Sequence, residues 1–201
     1  MTRVEDALLA VRLGADAIGV VMTARSKRQV SMARARSIVA AMPPFVTTVA
    51  LVMDDEPDFV REVVDAVRPS LLQFHGSESD AWCAQFGVDY LKAIAMGEGA
   101  AALSRLGDYP GARGLLLDGH GLGEPGGSGK AFDWSLMPAS LAQPLILAGG
   151  LHADNVGSAI RTARPWAVDV ASGIEAAPGI KDADKLAAFI QAVRAADAGA
   201  A

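Results

Sequence analysis

Leu145-Ile146-Leu147-Ala148-Gly149-Gly150 and Ala167-Val168-Asp169-Val170-Ala171-Ser172-Gly173 are two short apolar runs, each ending in a turn of small residues. A backbone presents its N–H groups to a phosphate only where no side chain intervenes, and glycine or serine after a strand keeps that approach open. Two such turns on adjacent strands would hold one phosphate from two sides. That arrangement is expected after strands seven and eight of a (β/α)8 barrel, so these residues bear on fold and ligand together.

Strand-like runs also occupy Ala17 to Met22, Thr48 to Met53, Leu71 to Phe74, Tyr90 to Ala95 and Gly114 to Asp118, which makes seven in all. Helical spacing fills the intervals, with Val4, Ala7, Leu8 and Val11 on one face, then Ile38, Val39 and Met42, then Val60, Val63, Val64 and Val67. The alternation predicts an α/β fold of parallel strands with right-handed crossovers, in a single domain over residues 1–201. Pro43-Pro44 and Pro69 sit where helices should stop, and residues 195–201 read as a frayed tail. Thr2-Arg3-Val4-Glu5 reads as a capping box, so a helix opens almost at residue 1 with no strand before it. The chain therefore reads either as a seven-strand α/β sheet or as an eight-fold barrel without its first strand. The second reading leaves unpaired edges at the Ala17 and Ala167 strands and predicts poorer stability or self-association.

At 201 residues the chain is long enough for one core and short beside a typical barrel of about 250. Apolar residues make up 51% and aromatic residues only 5%, which suits strands covered by helices. The net charge of −5 is scattered and there is no dense Lys/Arg stripe, which argues against a nucleic-acid partner and for a small soluble substrate. A single cysteine, Cys83, permits no internal disulfide and fits a reducing compartment. One thiol and three scattered histidines build no structural zinc site. No leader-like segment or apolar stretch of membrane-spanning length occurs, so a cytoplasmic protein with no membrane partner is expected.

Asp118 closes the apolar run Gly114-Leu115-Leu116-Leu117 at the rim where a parallel barrel keeps its chemistry. Partial desolvation there would raise its pKa and suit it to donate a proton; the alternative is a loop aspartate capping the next turn. Asp169, inside Ala-Val-Asp-Val, must face the barrel interior or the helix layer and needs a partner in either place. Gln73 and His75 are two apart and share a face, either in a pocket or as a structural pair. Arg28, in Arg25-Ser26-Lys27-Arg28-Gln29 before a helix capped by Ser31, suits a fork for a substrate carboxylate or a solvated surface. Cys83 falls on a helix away from the rim and reads as packing. In the loop 119–130, Gly121-x-Gly123-x-x-Gly126 is interrupted by Pro125, and Gly129-Lys130 lacks the first glycine and the hydroxyl of a nucleotide-binding loop. The loop reads as a flap over the rim or a plain surface connection.

In family order, nine stretches resemble phosphoribosylanthranilate isomerases of the tryptophan pathway. They are Thr2 to Ala7, Gly14 to Gly19, Ser26-Lys27-Arg28, Leu72-Gln73-Phe74-His75-Gly76, Leu91 to Ile94, Leu116-Leu117-Asp118, Gly126 to Trp134, Leu147 to Leu151, and Asp169 to Glu175 running into Pro178 to Asp182. The resemblance implies a TIM barrel that performs an Amadori rearrangement on N-(5-phosphoribosyl)anthranilate, without cofactor or metal. It implies that Asp118 is the general acid and that Arg28 meets the anthranilate carboxylate. Gln73, His75 and Asp169 would line the substrate pocket, and Gly149, Gly150, Ser172 and Gly173 would bind phosphate. A monomer or homodimer is expected. The alternatives are a barrel that holds a phosphate ligand without turning it over, and the histidine-pathway aminoaldose isomerase, which shares the chemistry.

The family also opens with a strand carrying Lys-x-Cys-Gly, whose cysteine takes the C2 proton. Neither the strand nor that cysteine has a counterpart here, and Cys83 does not match the position. The expectation is an intact ring-opening half beside an impaired proton-abstraction half; a start placed too far downstream, with upstream codons encoding the strand, is favoured over a truncated chain or a genuinely divergent form. Ala95 and the Met22-Thr23 pair also depart from the family pattern, which often has a basic residue and an aromatic there.

Overall fold

The computed structural model describes residues 1–121, 131–138 and 141–199. In chain order the principal elements are α1 (Val4–Leu13), β1 (Ala17–Val21), α2 (Met32–Ala40), β2 (Thr47–Val52), α3 (Pro57–Val67), β3 (Leu71–Phe74), α4 (Asp80–Ala84) and β4 (Tyr90–Ala95). They continue with β5 (Gly114–Asp118), β6 (Leu145–Leu147), α5 (Ala153–Ala163), β7 (Ala167–Val168), β8 (Glu175–Ala177), β9 (Ile180–Lys181) and α6 (Ala183–Ala198). All seven expected strands are present, and they pair in parallel in sequence order from β1 to β7. The curled sheet and its helical cover are an α/β half-barrel of the TIM type.

The strand period of two divides the side chains between two cores. Ile18, Val20, Ala50, Val52, Leu72, Phe74, Leu115, Leu117 and Leu147 point outward and pack with Ala7, Ala35, Ile38, Val60, Val63, Val156 and Ile160 of the helices. The residues between them point inward, where Ala93, Leu116 and Ala148 form a small second cluster. Val49, Leu51, Gln73, Leu91 and Ile146, also inward, line a cavity of about 470 Å³ closed on one side by Phe189 and Ile190 of α6. Among the described residues β1 and β7 each pair on one side only, and Met1, Ala17 and Ala167 also border this cavity.

Helix ends follow the sequence signals in part. Ser31 caps α2 by accepting from the Arg34 N–H at 3.3 Å. Helix α2 ends before Pro43-Pro44, and α3 ends on left-handed Arg68 just before Pro69. The capping box at Thr2 and Glu5 does not form, because Arg3 is the N-cap and the Thr2 hydroxyl donates instead to the Gly179 carbonyl. A tertiary acceptor wins over the local donor. Residues 195 to 198, expected to fray, continue α6, with Ala196 buried. The β8–β9 hairpin was not foreseen; Lys181 N–H donates to the buried Asp6 carboxylate at 3.1 Å, which docks the hairpin on α1. Residues 122–130, which hold Gly123, Gly126, Gly129 and Lys130 of the two rejected motifs and most of the expected flap, lie outside the described residues. Among the described residues no helix is long and apolar enough to cross a membrane.

Candidate active site

Six strand ends converge on one pocket, lined by Arg28 after β1, Met53 after β2, His75 after β3, Asp118 at the end of β5, Gly149 and Gly150 after β6, and Asp169 and Ser172 after β7. Parallel strands place every C-terminal end on the same rim, so residues far apart in sequence become neighbours. Two predicted residues stand elsewhere. Gln73 faces the same way as His75 but two residues deeper, where it lines the interior cavity and its Oε1 is buried without a hydrogen-bond partner among the described residues. Gly173 lies beneath the rim, packed against the backbone of Leu151: a Cβ there would fall 1.9 Å from the Leu151 carbonyl oxygen. The turns after β6 and β7 are thus in contact. Gly149 and Gly150 have φ of +85° and +65°, the left-handed region that glycine enters freely.

Asp118 sits between two imidazoles. His75 Nε2 lies 3.5 Å and His120 Nδ1 3.3 Å from the same carboxylate oxygen, Oδ2, and the two rings are 5.2 Å apart. Backbone pairing fixes all three. The His75 N–H donates to the Val52 carbonyl at 3.0 Å, and β4–β5 pairing continues past the strands, from Met96 N–H to Asp118 O at 2.8 Å and from Gly97 N–H to His120 O at 2.9 Å. A Cβ on Gly97 would fall 2.9 Å from the His120 carbonyl oxygen, so glycine lets the two loops close up. Asp118 Oδ1, His75 Nδ1 and His120 Nδ1 are buried without hydrogen-bond partners among the described residues.

Burial by itself would raise the Asp118 pKa, as the sequence suggested. The two imidazoles facing it outweigh that penalty by contact and by charge, and hold the carboxyl well below the usual carboxylate range. The expectation of a raised value is therefore corrected. Asp169 moves the other way: crowding by protein, then the negative charge of Asp118, pushes its carboxyl up. It faces the barrel interior, one of the two options left open, where solvent in the cavity still reaches it.

Arg28 is neither solvated nor free. Its Nε donates to Glu175 Oε1 and Oε2 at 2.8 and 3.1 Å, and its Nη2 to Oε2 at 2.8 Å. Lys181 Nζ donates to Glu175 Oε1 at 3.1 Å, and the Gly179 N–H to the same oxygen at 3.1 Å. Cys83 lies on α4, fully buried, its thiol pushed up to about 12 by burial. It is a packing residue, as expected. Sequence reasoning missed His120 and assigned no role to Glu175. His120 was within reach of it: the residue two beyond Asp118 shares its face by the same spacing that pairs Gln73 with His75. The expectation of scattered histidines fails for two of the three.

A family model described as N-(5'phosphoribosyl)anthranilate (PRA) isomerase matches residues 1–192. The N-(5'-phosphoribosyl)anthranilate isomerase of Nitrosospira multiformis is 55% identical over 193 residues, covering 96% of this chain and 93% of that protein. The crystal structure of phosphoribosyl anthranilate isomerase from Thermotoga maritima superposes with a TM-score of 0.88 at 39% identity, covering 97% of this chain and 96% of that one. A second crystal structure, of such an isomerase in complex with reduced 1-(o-carboxyphenylamino)-1-deoxyribulose 5-phosphate, gives 0.84 at 36% identity, with 97% and 95% covered.

Proposed function

Because this chain belongs to the N-(5'-phosphoribosyl)anthranilate isomerase family, we propose that its rim pocket converts N-(5-phosphoribosyl)anthranilate to 1-(2-carboxyphenylamino)-1-deoxyribulose 5-phosphate, an aldose–ketose isomerisation of tryptophan biosynthesis. The observation that carries this reading is the convergence of Arg28, Asp118 and the turns at Gly149-Gly150 and Ser172 on one pocket. The backbone N–H groups of those turns receive the phosphate, with Gly173 holding the turns in contact. Glu175 occupies the Nε–Nη2 side of Arg28, and the Nη1 side takes the anthranilate carboxylate. Gln73, His75 and Asp169 line the space between these two ends.

Asp118 is the general acid. Before substrate arrives it is ionised, and the two negative groups of the arriving substrate favour its protonation, with His75 and His120 placed to relay the proton. Asp118 passes the proton to the ribose ring oxygen as the C1–O bond breaks and the anthranilate nitrogen lone pair forms the C=N bond of a Schiff base. The C2 proton then passes to solvent water in the open pocket, giving the enaminol, which tautomerises to the ketone by protonation at C1. Cys83 does not accept that proton, being buried on α4 with its thiol near 12.

Turnover is followed by the loss of anthranilate fluorescence. Asp118→Asn is expected to lower kcat at least ~100-fold, the usual scale for removing a positioned acid. Undiminished turnover would overturn the assignment, and a chain that binds inorganic phosphate but never turns substrate over would instead be a binding barrel.

A further inference from the structure

We propose that His75, Asp118 and His120 form a site for one divalent cation of the zinc class, and that the bound ion switches the isomerase off. The second half rests on the assignment of Asp118 as the acid; the first rests on geometry alone. One ligand atom from each of the three residues lies within 4.8 Å of the others. The two measured separations from Asp118 Oδ2, 3.3 Å to His120 Nδ1 and 3.5 Å to His75 Nε2, are tetrahedral edges. Zinc bonds of about 2.0–2.2 Å to nitrogen and oxygen give ligand-to-ligand edges of about 3.3–3.6 Å.

The side chains of His75, Asp118 and His120 are 9%, 6% and 2% exposed, yet each keeps a buried polar atom without a hydrogen-bond partner among the described residues. A leftover of that kind costs about 1–3 kcal/mol per group, and an ion held by His120 Nδ1 removes the share of that atom. Two imidazoles and one carboxylate suit a borderline cation better than magnesium or calcium, which prefer all-oxygen shells. His75 and Asp118 also line the substrate pocket, so a fourth position would open toward the ligand. Other thiol or imidazole donors are poorly placed: Cys83 is buried with a thiol near 12, and His152 stands alone at the start of α5, half exposed. An ion on Asp118 excludes the proton that ring opening requires, so inhibition follows occupancy.

Cobalt(II) reports the site in the metal-free wild-type chain, because four-coordinate cobalt absorbs strongly in the visible. One Co²⁺ per chain with that signature is expected, displaced by Zn²⁺ and unaffected by Mg²⁺. His120→Gln is expected to weaken binding at least about tenfold, and His152→Gln to leave it unchanged. No four-coordinate signal at saturating Co²⁺, or a signal that survives His120→Gln in a folded protein, overturns the site; should that variant not fold, His75→Gln reads the same loss. Turnover is expected to fall in step with Zn²⁺ occupancy and to return with a chelator. Full turnover with the site occupied overturns the switch. Cobalt binding in a chain with no turnover even when metal-free upholds the site and rejects the isomerase reading.

Discussion

Glu175, 8% exposed, is shared by Arg28, Lys181 and the Gly179 N–H. Burial would raise its carboxyl, but the Arg28 hydrogen bonds and the Lys181 charge prevail and hold it below its ordinary value. A carboxyl with a lower pKa folded than unfolded contributes stability that is complete above the unfolded value and is lost as pH falls through the folded one. Glu175→Gln is therefore expected to cost about 3 kcal/mol near neutrality, a gap that narrows as the pH drops below about 4.5 in urea unfolding curves. Gly173→Ala forces a Cβ onto the Leu151 carbonyl and must part the two turns. Inorganic phosphate, measured by calorimetry, is expected to bind at least about tenfold more weakly, a loss of about 1.4 kcal/mol. The place of Asp118 was legible because a carboxylate ended an apolar run; its acidity was not, because that depends on imidazoles from β3 and from the residue two further on.

Between elements, the loop carrying His75 is stapled from three sides. Lys92 on β4, 1% exposed, donates from Nζ to Phe74 O at 3.2 Å, Gly76 O at 2.6 Å and Glu78 Oε2 at 3.2 Å. Glu78 in turn accepts from Asp54 N–H at 2.7 Å and Gly76 N–H at 3.0 Å, which ties in the loop after β2. Lys92→Ala leaves the Glu78 carboxylate buried without its cation, and chemical denaturation is expected to show a loss of about 3–5 kcal/mol. The strands themselves were easy to read, since parallel strands covered on both faces are continuous apolar runs such as Leu115-Leu116-Leu117 in β5. The hairpin was not: Glu175-Ala176-Ala177 and Ile180-Lys181 show no such run, and their pairing depends on Gly179 at φ +83° and on Thr2 and Asp6 far away in sequence.

Across the whole molecule, inner strands such as β4 and β5 pair on both sides, while β1 and β7 flank the cavity with one partner each among the described residues. Amides of β1 and β7 are expected to exchange hydrogen at least about tenfold faster than those of β4 and β5, a difference of about 1.4 kcal/mol in local opening. Between those two banks the connection passes through side chains: Arg28 to Glu175, Thr2 to Gly179, and Asp6 to the Lys181 amide. The half-barrel is fastened like a bracelet with a buckle, and the tongue of the buckle is the same guanidinium that lines the rim pocket. Whatever loosens that clasp shifts a wall of the pocket in the same movement.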